Sequence, residues 1–187
     1  MKATVIIGSA SVGGFTEQLT AQVIEGMGTG TETAIFRPYM MDIGHCTDCG
    51  RCKGGDCVLR DDMDLIYASF EASDILLIST PVHFNSPSSV CKLAVDRFQK
   101  YWYSQLPSAG HKLLAMVSPG GGPRPRFENL ASAGKSLAAT IGAEWGGHHT
   151  LSFTDTMESL SEEQRAEARD FGKGLALRTA ALLEGRR

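Results

Sequence analysis

Short apolar runs alternating with amphipathic stretches predict a doubly wound α/β domain built on a parallel sheet. Two observations support this reading. The run Ile75-Leu76-Leu77-Ile78 is wholly apolar, as a strand covered on both faces requires. The first and fourth such runs give way to turns rich in glycine and serine. A length of 187 residues suits one domain with a sizeable core, so residues 1–187 are expected to form a single unit.

Taken in order, residues 4–7 (Thr-Val-Ile-Ile) form the first strand. Residues 16–27 follow as a helix, with Leu19, Val23, Ile24 and Met27 at helical spacing and Gly28-Thr29-Gly30 ending it. Residues 33–36 are the second strand. A cysteine-rich insertion of about residues 42–60 comes next. Asp61-Asp62-Met63 then opens a helix with acids in its first turn, where the dipole favours them. Residues 75–78 are the third strand, and 87–103 read as one helix with Pro87 near its first turn. Residues 113–117 are the fourth strand, 130–141 a helix and 148–153 the last strand. A closing helix over 161–183 begins at a capping-box pattern, Ser161-Glu162-Glu163-Gln164. With right-handed crossovers, five strands alternating with five helices predict the flavodoxin-like order 2-1-3-4-5.

Composition excludes several classes. A formal charge of −3 with interspersed signs argues against nucleic acid as partner. The apolar runs are strand-length, too short to span a bilayer, and the first ends at Gly8-Ser9 without a cleavage site, so neither membrane nor secretion is expected. Five cysteines, an odd number, fit a reducing cytoplasmic compartment better than a disulfide framework.

In such a sheet, ligands bind beyond the carboxyl ends of the strands. Three stretches emerge there: residues 8–16, 81–87 and 118–123. The first, Gly8-Ser9-Ala10-Ser11-Val12-Gly13-Gly14-Phe15-Thr16, joins a strand to a helix start and offers hydroxyls and approachable amides. It lacks the Gly-Lys-Ser/Thr ending of a Walker loop and the glycine spacing of a dinucleotide fingerprint. Either it cradles the phosphate of a mononucleotide or it is simply a capped turn. Pro81-Val82-His83-Phe84-Asn85-Ser86-Pro87 offers apolar surface with a few polar groups, as planar ligands require, or else forms a rigid structural loop. Ser118, Gly120 and Gly121 border the same cleft from the fourth strand. Asp96-Arg97 reads as structural.

Cys46, Cys49, Cys52 and Cys57 stand in C-x2-C-x2-C-x4-C spacing. Closely spaced cysteines on one loop hold iron–sulfur clusters, and glycines 50, 54 and 55 let the loop wrap. Zinc, which more often takes two separated C-x2-C knuckles, and free redox-sensing thiols are the other readings. The insertion leaves the second strand on the ligand edge, which sets the thiols beside the expected cleft. Cys91 is expected to be a small core residue. His148 and His149 are expected at a solvent-facing rim, His111 exposed, His45 a bystander, and Tyr101-Trp102-Tyr103 a core or subunit contact.

Residues 8–16, Asp61-Asp62-Met63, Pro81-Val82-His83-Phe84 and Lys92-Leu93-Ala94-Val95-Asp96-Arg97 together resemble the NADPH-dependent FMN reductase family. The four loop cysteines narrow the resemblance to its iron–sulfur flavoprotein branch. The likeness covers about residues 1–125 by motif and the rest by fold. It implies FMN, with its phosphate at Ser9, Ser11, Gly14, Phe15 and Thr16. The ring would lie on Pro81, Val82, His83, Phe84 and Asn85, with Gly120 and Gly121 closing the far side. It further implies a [4Fe–4S] cluster on the four cysteines and either a ferredoxin-like donor or NAD(P)H. Oxygen, peroxide or quinones would be the small-molecule acceptors, and the chain would form homodimers or homotetramers in which cluster and flavin meet across a boundary. A cluster-free NAD(P)H-dependent FMN or quinone reductase, and a non-enzymatic zinc or thiol sensor, are the alternatives. The chain departs from the family pattern at Ala10-Ser11-Val12, where Pro-Arg-Lys is common, at Phe15, where Asn is common, and at His83, where Tyr is common.

Overall fold

The computed structural model describes residues 1–104 and 112–185. His111 and the terminal Arg186-Arg187 lie outside the described residues. The elements run β1 (Lys2–Ile7), α1 (Phe15–Met27), β2 (Glu32–Phe36), α2 (Met63–Ala72), β3 (Ile75–Ser79), β4 (Val82–His83), β5 (Ser86–Pro87), α3 (Ser89–Arg97), α4 (Gln99–Ser104), β6 (Lys112–Pro119), α5 (Phe127–Thr140), β7 (Ala143–Leu151) and α6 (Glu162–Glu184). Five strands pair in parallel in the order β2-β1-β3-β6-β7, which is the predicted flavodoxin-like topology. The three central strands β1, β3 and β6 are buried almost throughout, as their predominantly apolar sequences require.

Alternation within these strands feeds two cores. Ile6, Leu76, Ile78, Leu114 and Met116 face α2, α3 and α5 together with Phe70 and Phe98. Val5, Ile7, Leu77, Ala115 and Val117 face α1 and α6 with Leu19, Val23 and Leu175. The capping box at the head of α6 is formed on both sides, with Ser161 accepting from the Gln164 amide and Gln164 reaching back to the Ser161 amide. Among the described residues no helix is long and apolar enough to cross a membrane.

Three elements differ from the sequence reading. Pro87 does not enter a helix. It pairs with Val82 in the small antiparallel hairpin β4–β5, where its missing amide hydrogen costs nothing at a sheet edge. The helix predicted over 87–103 is split at Phe98, whose ring turns inward to meet Phe70, Tyr67 and Tyr101 edge-on or tilted. β7 begins at Ala143 instead of His148. Its register against β6 shifts between Leu114 and Ala115, and Gly147 takes a φ of 117° there, so the glycine pair 146–147 carries a bulge inside the strand.

Candidate flavin cleft and cysteine hollow

The carboxyl rim of the sheet is sewn together by backbone bonds between its loops. Gly8 donates to the Ser79 carbonyl (2.7 Å), Thr80 to Val117 (2.9 Å) and Gly120 to Leu151 (2.7 Å). The Ser88 hydroxyl donates to the Gly8 carbonyl at 2.5 Å and accepts from the Cys91 amide at 3.0 Å, which seats the start of α3 against the first loop. A Cβ at Gly8 would lie 2.3 Å from that of Cys91, so only glycine permits this approach. Cys91 is fully buried, as expected, and burial pushes its thiol up to about 12.

A cleft of about 760 Å³ opens at this rim. Of the predicted contacts, Ser9, Ser11, Gly14, Phe15, Thr16, Pro81, Val82, His83 and Gly121 line it. Phe84 and Asn85 line an adjoining hollow that shares Val82 and Gly121 with the cleft. Both occupy the left-handed region (φ 50° and 60°) at the hairpin tip, and the phenyl ring of Phe84 stands fully in solvent at 103% exposure. Asn129 of α5 holds this tip by donating to the Asn85 carbonyl (3.2 Å). Ser118 and Gly120 are buried behind the wall. The Ser118 hydroxyl is buried without a hydrogen-bond partner.

α1 begins at Gly14 without a side-chain cap, so amides of its first turn remain free to meet an anion. One nearby donor is already used, because Gly13 gives its amide to Glu17 Oε2 (2.7 Å). Arg37 Nε pairs with the other Glu17 oxygen at 2.6 Å. The Gly13 bond first, and then Arg37, hold that carboxyl below its usual range. Among the described residues no lysine or arginine lines the cleft, so an anion there would rest on amides and hydroxyls.

Sequence reasoning missed Thr154 and Asp155, which line the opposite wall. They follow β7, whose carboxyl end reaches the same rim, and their amides bond to Gly120 and Gly121 (3.2 and 3.3 Å). The topological rule that located the other loops applies to this one too.

The four cysteines line a second hollow, together with Arg97, Lys100 and Tyr103. Cys46, Cys52 and Cys57 are half-buried and Cys49 is exposed. The loop between them turns through left-handed backbone at Asp48, Gly50 and Gly55. Among the described residues no three His, Cys, Asp or Glu side chains converge on one point as around a single metal ion. The Tyr103 hydroxyl donates to Asp48 (2.7 Å) and ties the loop to α4, while Tyr101 is core and Trp102 is exposed.

Arg97 and Asp61 are the fixtures beneath this loop. Asp96 turns outward to Lys92, so Asp96 and Arg97 do not act together. Arg97 Nη1 donates to Asp61 Oδ2 (2.6 Å) and to the Gly44 carbonyl (2.7 Å). Asp61 also accepts from the amides of Gly44 and Met63, each at 3.0 Å. Burial works against its charge, but Arg97 and these amides outweigh it and hold the carboxyl below its usual range.

Within one chain, cleft and hollow share no lining residue. The cleft meets the amino end of α3 and the hollow its carboxyl end. At ~1.5 Å per residue, this nine-residue helix is about 13 Å long. The histidines also depart from expectation. His148 and His149 are half-buried, against Phe127 of α5 and Phe171 of α6 respectively.

A parallel sheet in this order with a mononucleotide-sized cleft at its carboxyl rim defines the flavodoxin-like class of α/β proteins. The family model for NADPH-dependent FMN reductase matches residues 1–153, and the chain belongs to that family of flavin-dependent oxidoreductases. It is 34% identical over 103 residues to an iron-sulfur flavoprotein of Archaeoglobus fulgidus, covering 54% of this chain and 47% of the other. A second iron-sulfur flavoprotein, from Methanosarcina thermophila, is 32% identical over 99 residues, covering 52% of each chain. The chain thus matches about half the length of these relatives. Among solved structures, the NAD(P)H:quinone oxidoreductase of Methanothermobacter marburgensis superposes with a TM-score of 0.72 at 14% identity, covering 94% of this chain and 96% of the other. The flavodoxin, WrbA-like protein from Agrobacterium tumefaciens gives 0.64 at 17% identity, covering 97% and 98%, and both show the shared fold.

Proposed function

We propose that the chain binds FMN in the rim cleft and a [4Fe–4S] cluster on Cys46, Cys49, Cys52 and Cys57, and passes electrons between them and small oxidants. One observation carries this reading: a single FMN-reductase-family chain holds both an amide- and hydroxyl-lined cleft and four cysteines around one hollow. When bound, the flavin exchanges electron pairs with substrates and single electrons with the cluster.

The protein's own part is to hold and orient. The uncapped start of α1, with the hydroxyls of Ser9, Ser11 and Thr16, takes the phosphate, and Glu17 fixes the turn by occupying the Gly13 amide. Pro81, Val82 and His83 carry the ring, with Phe84 and Asn85 at the hairpin tip beside it, while Gly121 closes the far wall in front of Gly120 and Ser118. Asp155, packed against Gly121, offers an acceptor on the same wall. All four cysteines line one hollow, and their overlapping C-x2-C-x2-C-x4-C spacing on a single loop suits a cluster better than the two separated knuckles usual for zinc. NAD(P)H or a ferredoxin-like protein is the donor, and oxygen, peroxide or a quinone the acceptor. Homodimers or homotetramers bring the hollow of one copy to the cleft of another. The described chain acts as one domain in a reducing, cytoplasmic compartment.

A cluster-free NAD(P)H-dependent FMN or quinone reductase is the second reading, and the separation of cleft from hollow favours it. Anaerobic purification followed by flavin, iron and acid-labile sulfide analysis decides between them. Flavin with iron and sulfide supports the relay. Flavin alone, reduced by NADPH without ferredoxin, supports the second reading. Zinc without flavin contradicts both.

A further inference from the structure

Arg97 heads the fully buried side chains of the protein by size, with its side chain only 1% exposed. A guanidinium stays charged and carries five N–H donors, so burying it demands acceptors on every edge. Its partners here are incomplete. Asp61 and Gly44 both take Nη1. Nε is buried with no acceptor. Nη2 points at Cys57 Sγ, 3.6 Å away. A purely structural ion pair would not leave one edge of the fork facing sulfur. Tyr67 fixes the position further by donating to the Arg97 carbonyl (2.6 Å). Lys100, which also lines the hollow, is committed elsewhere: its Nζ pairs with Glu71 at 3.1 Å and sits over the Tyr67 ring at 4.2 Å.

We infer that Arg97 is a positioning residue for the cysteine site, donating a charge-assisted N–H···S hydrogen bond to Cys57 that raises the reduction potential of the cluster bound there. The inference rests on the proposed cluster. Donors to sulfur and nearby positive charge favour the more negative, reduced form, and such groups around a metal's ligands tune it. Asp61 serves the same end indirectly by holding the guanidinium in place. Of the two conservative replacements, Arg97→Lys keeps the charge without the planar fork, and Arg97→Gln keeps a donor without the charge.

The test is a mediated redox titration of wild type, Arg97→Lys and Arg97→Gln after anaerobic cluster reconstitution. At fixed potential, Arg97→Gln should lower the ratio of reduced to oxidised cluster about tenfold, a shift of about 59 mV toward negative potential for one electron. Arg97→Lys should shift less. Wild type carrying guanidino-15N arginine should also show a nitrogen hyperfine coupling in the pulsed EPR spectrum of the reduced cluster, which decides the matter if a variant fails to fold. An unchanged midpoint, or no coupling, overturns the role of Arg97 while leaving the cluster in place. A wild-type chain that takes up no iron overturns both readings.

Discussion

At the scale of single residues, the buried pair of Arg97 and Asp61 underpins the cysteine loop. Spacing alone singles out Cys46, Cys49, Cys52 and Cys57, because a motif is a local pattern. The partnership of Asp61 with Arg97 joins positions far apart in the chain and only the fold brings it together. Removing one member of a buried pair strands the other charge, so Asp61→Ala should cost about 3–5 kcal/mol in urea unfolding. Thiol chemistry separates the fifth cysteine from the rest. Iodoacetamide should alkylate the four loop cysteines of the native, cluster-free chain and reach buried Cys91 only after unfolding, as peptide mass analysis would show. Cys49 should react first, since it is exposed, and the Arg51 amide outweighs a smaller opposing desolvation to lower its pKa. His148 gives a pH prediction. Burial, and then His149, push it from 6.5 down to about 4. The unfolded chain therefore takes up a proton that the folded chain refuses. Stability from this residue is complete above about pH 6.5 and declines as pH falls toward 4. Thermal melts of His148→Gln across that window should show a shallower slope than wild type.

At the scale of elements, the buried strands and the capped closing helix could be read from sequence because each carries its own local signal. The hairpin β4–β5 could not. Its tip has Phe84-Asn85 in left-handed backbone without the Asn-Gly or Asp-Gly pair that normally announces such a turn. The bulged start of β7 was hidden in the same way, because its glycine pair reads as punctuation between elements. Packing of α1 against α6 turns on glycine contacts that only the folded state reveals. A Cβ at Gly172 would lie 2.0 Å from the Val23 carbonyl oxygen, whereas one at Gly174 would meet nothing within 4 Å. Gly172→Ala should accordingly destabilise by about 1–3 kcal/mol. Gly174→Ala, two residues along the same helix, should instead stabilise by up to about 1 kcal/mol. Opposite signs in urea melts would confirm that backbone contact, and not helix propensity, governs this interface.

For the molecule as a whole, the rim cleft followed from topology, since ligands of parallel sheets gather beyond the strand ends. Nine of the thirteen residues expected to touch a cofactor line it, the hairpin tip faces an adjoining hollow, and Ser118 and Gly120 lie behind the wall. Thr154 and Asp155 could have been found by the same rule applied to the last strand. The sequence sets the cysteines beside the cleft, whereas the structure places them at the far end of α3, sharing no lining residue with it, because the course of that helix has no local signal. The most direct test of the account is iron, acid-labile sulfide and FMN measured on the anaerobically purified chain and on Cys52→Ser. One FMN with about four iron and four sulfide per chain is expected, with the metal lost and the flavin retained in the variant. Stoichiometric flavin without iron in the wild type, or flavin lost along with the cysteine, would contradict it.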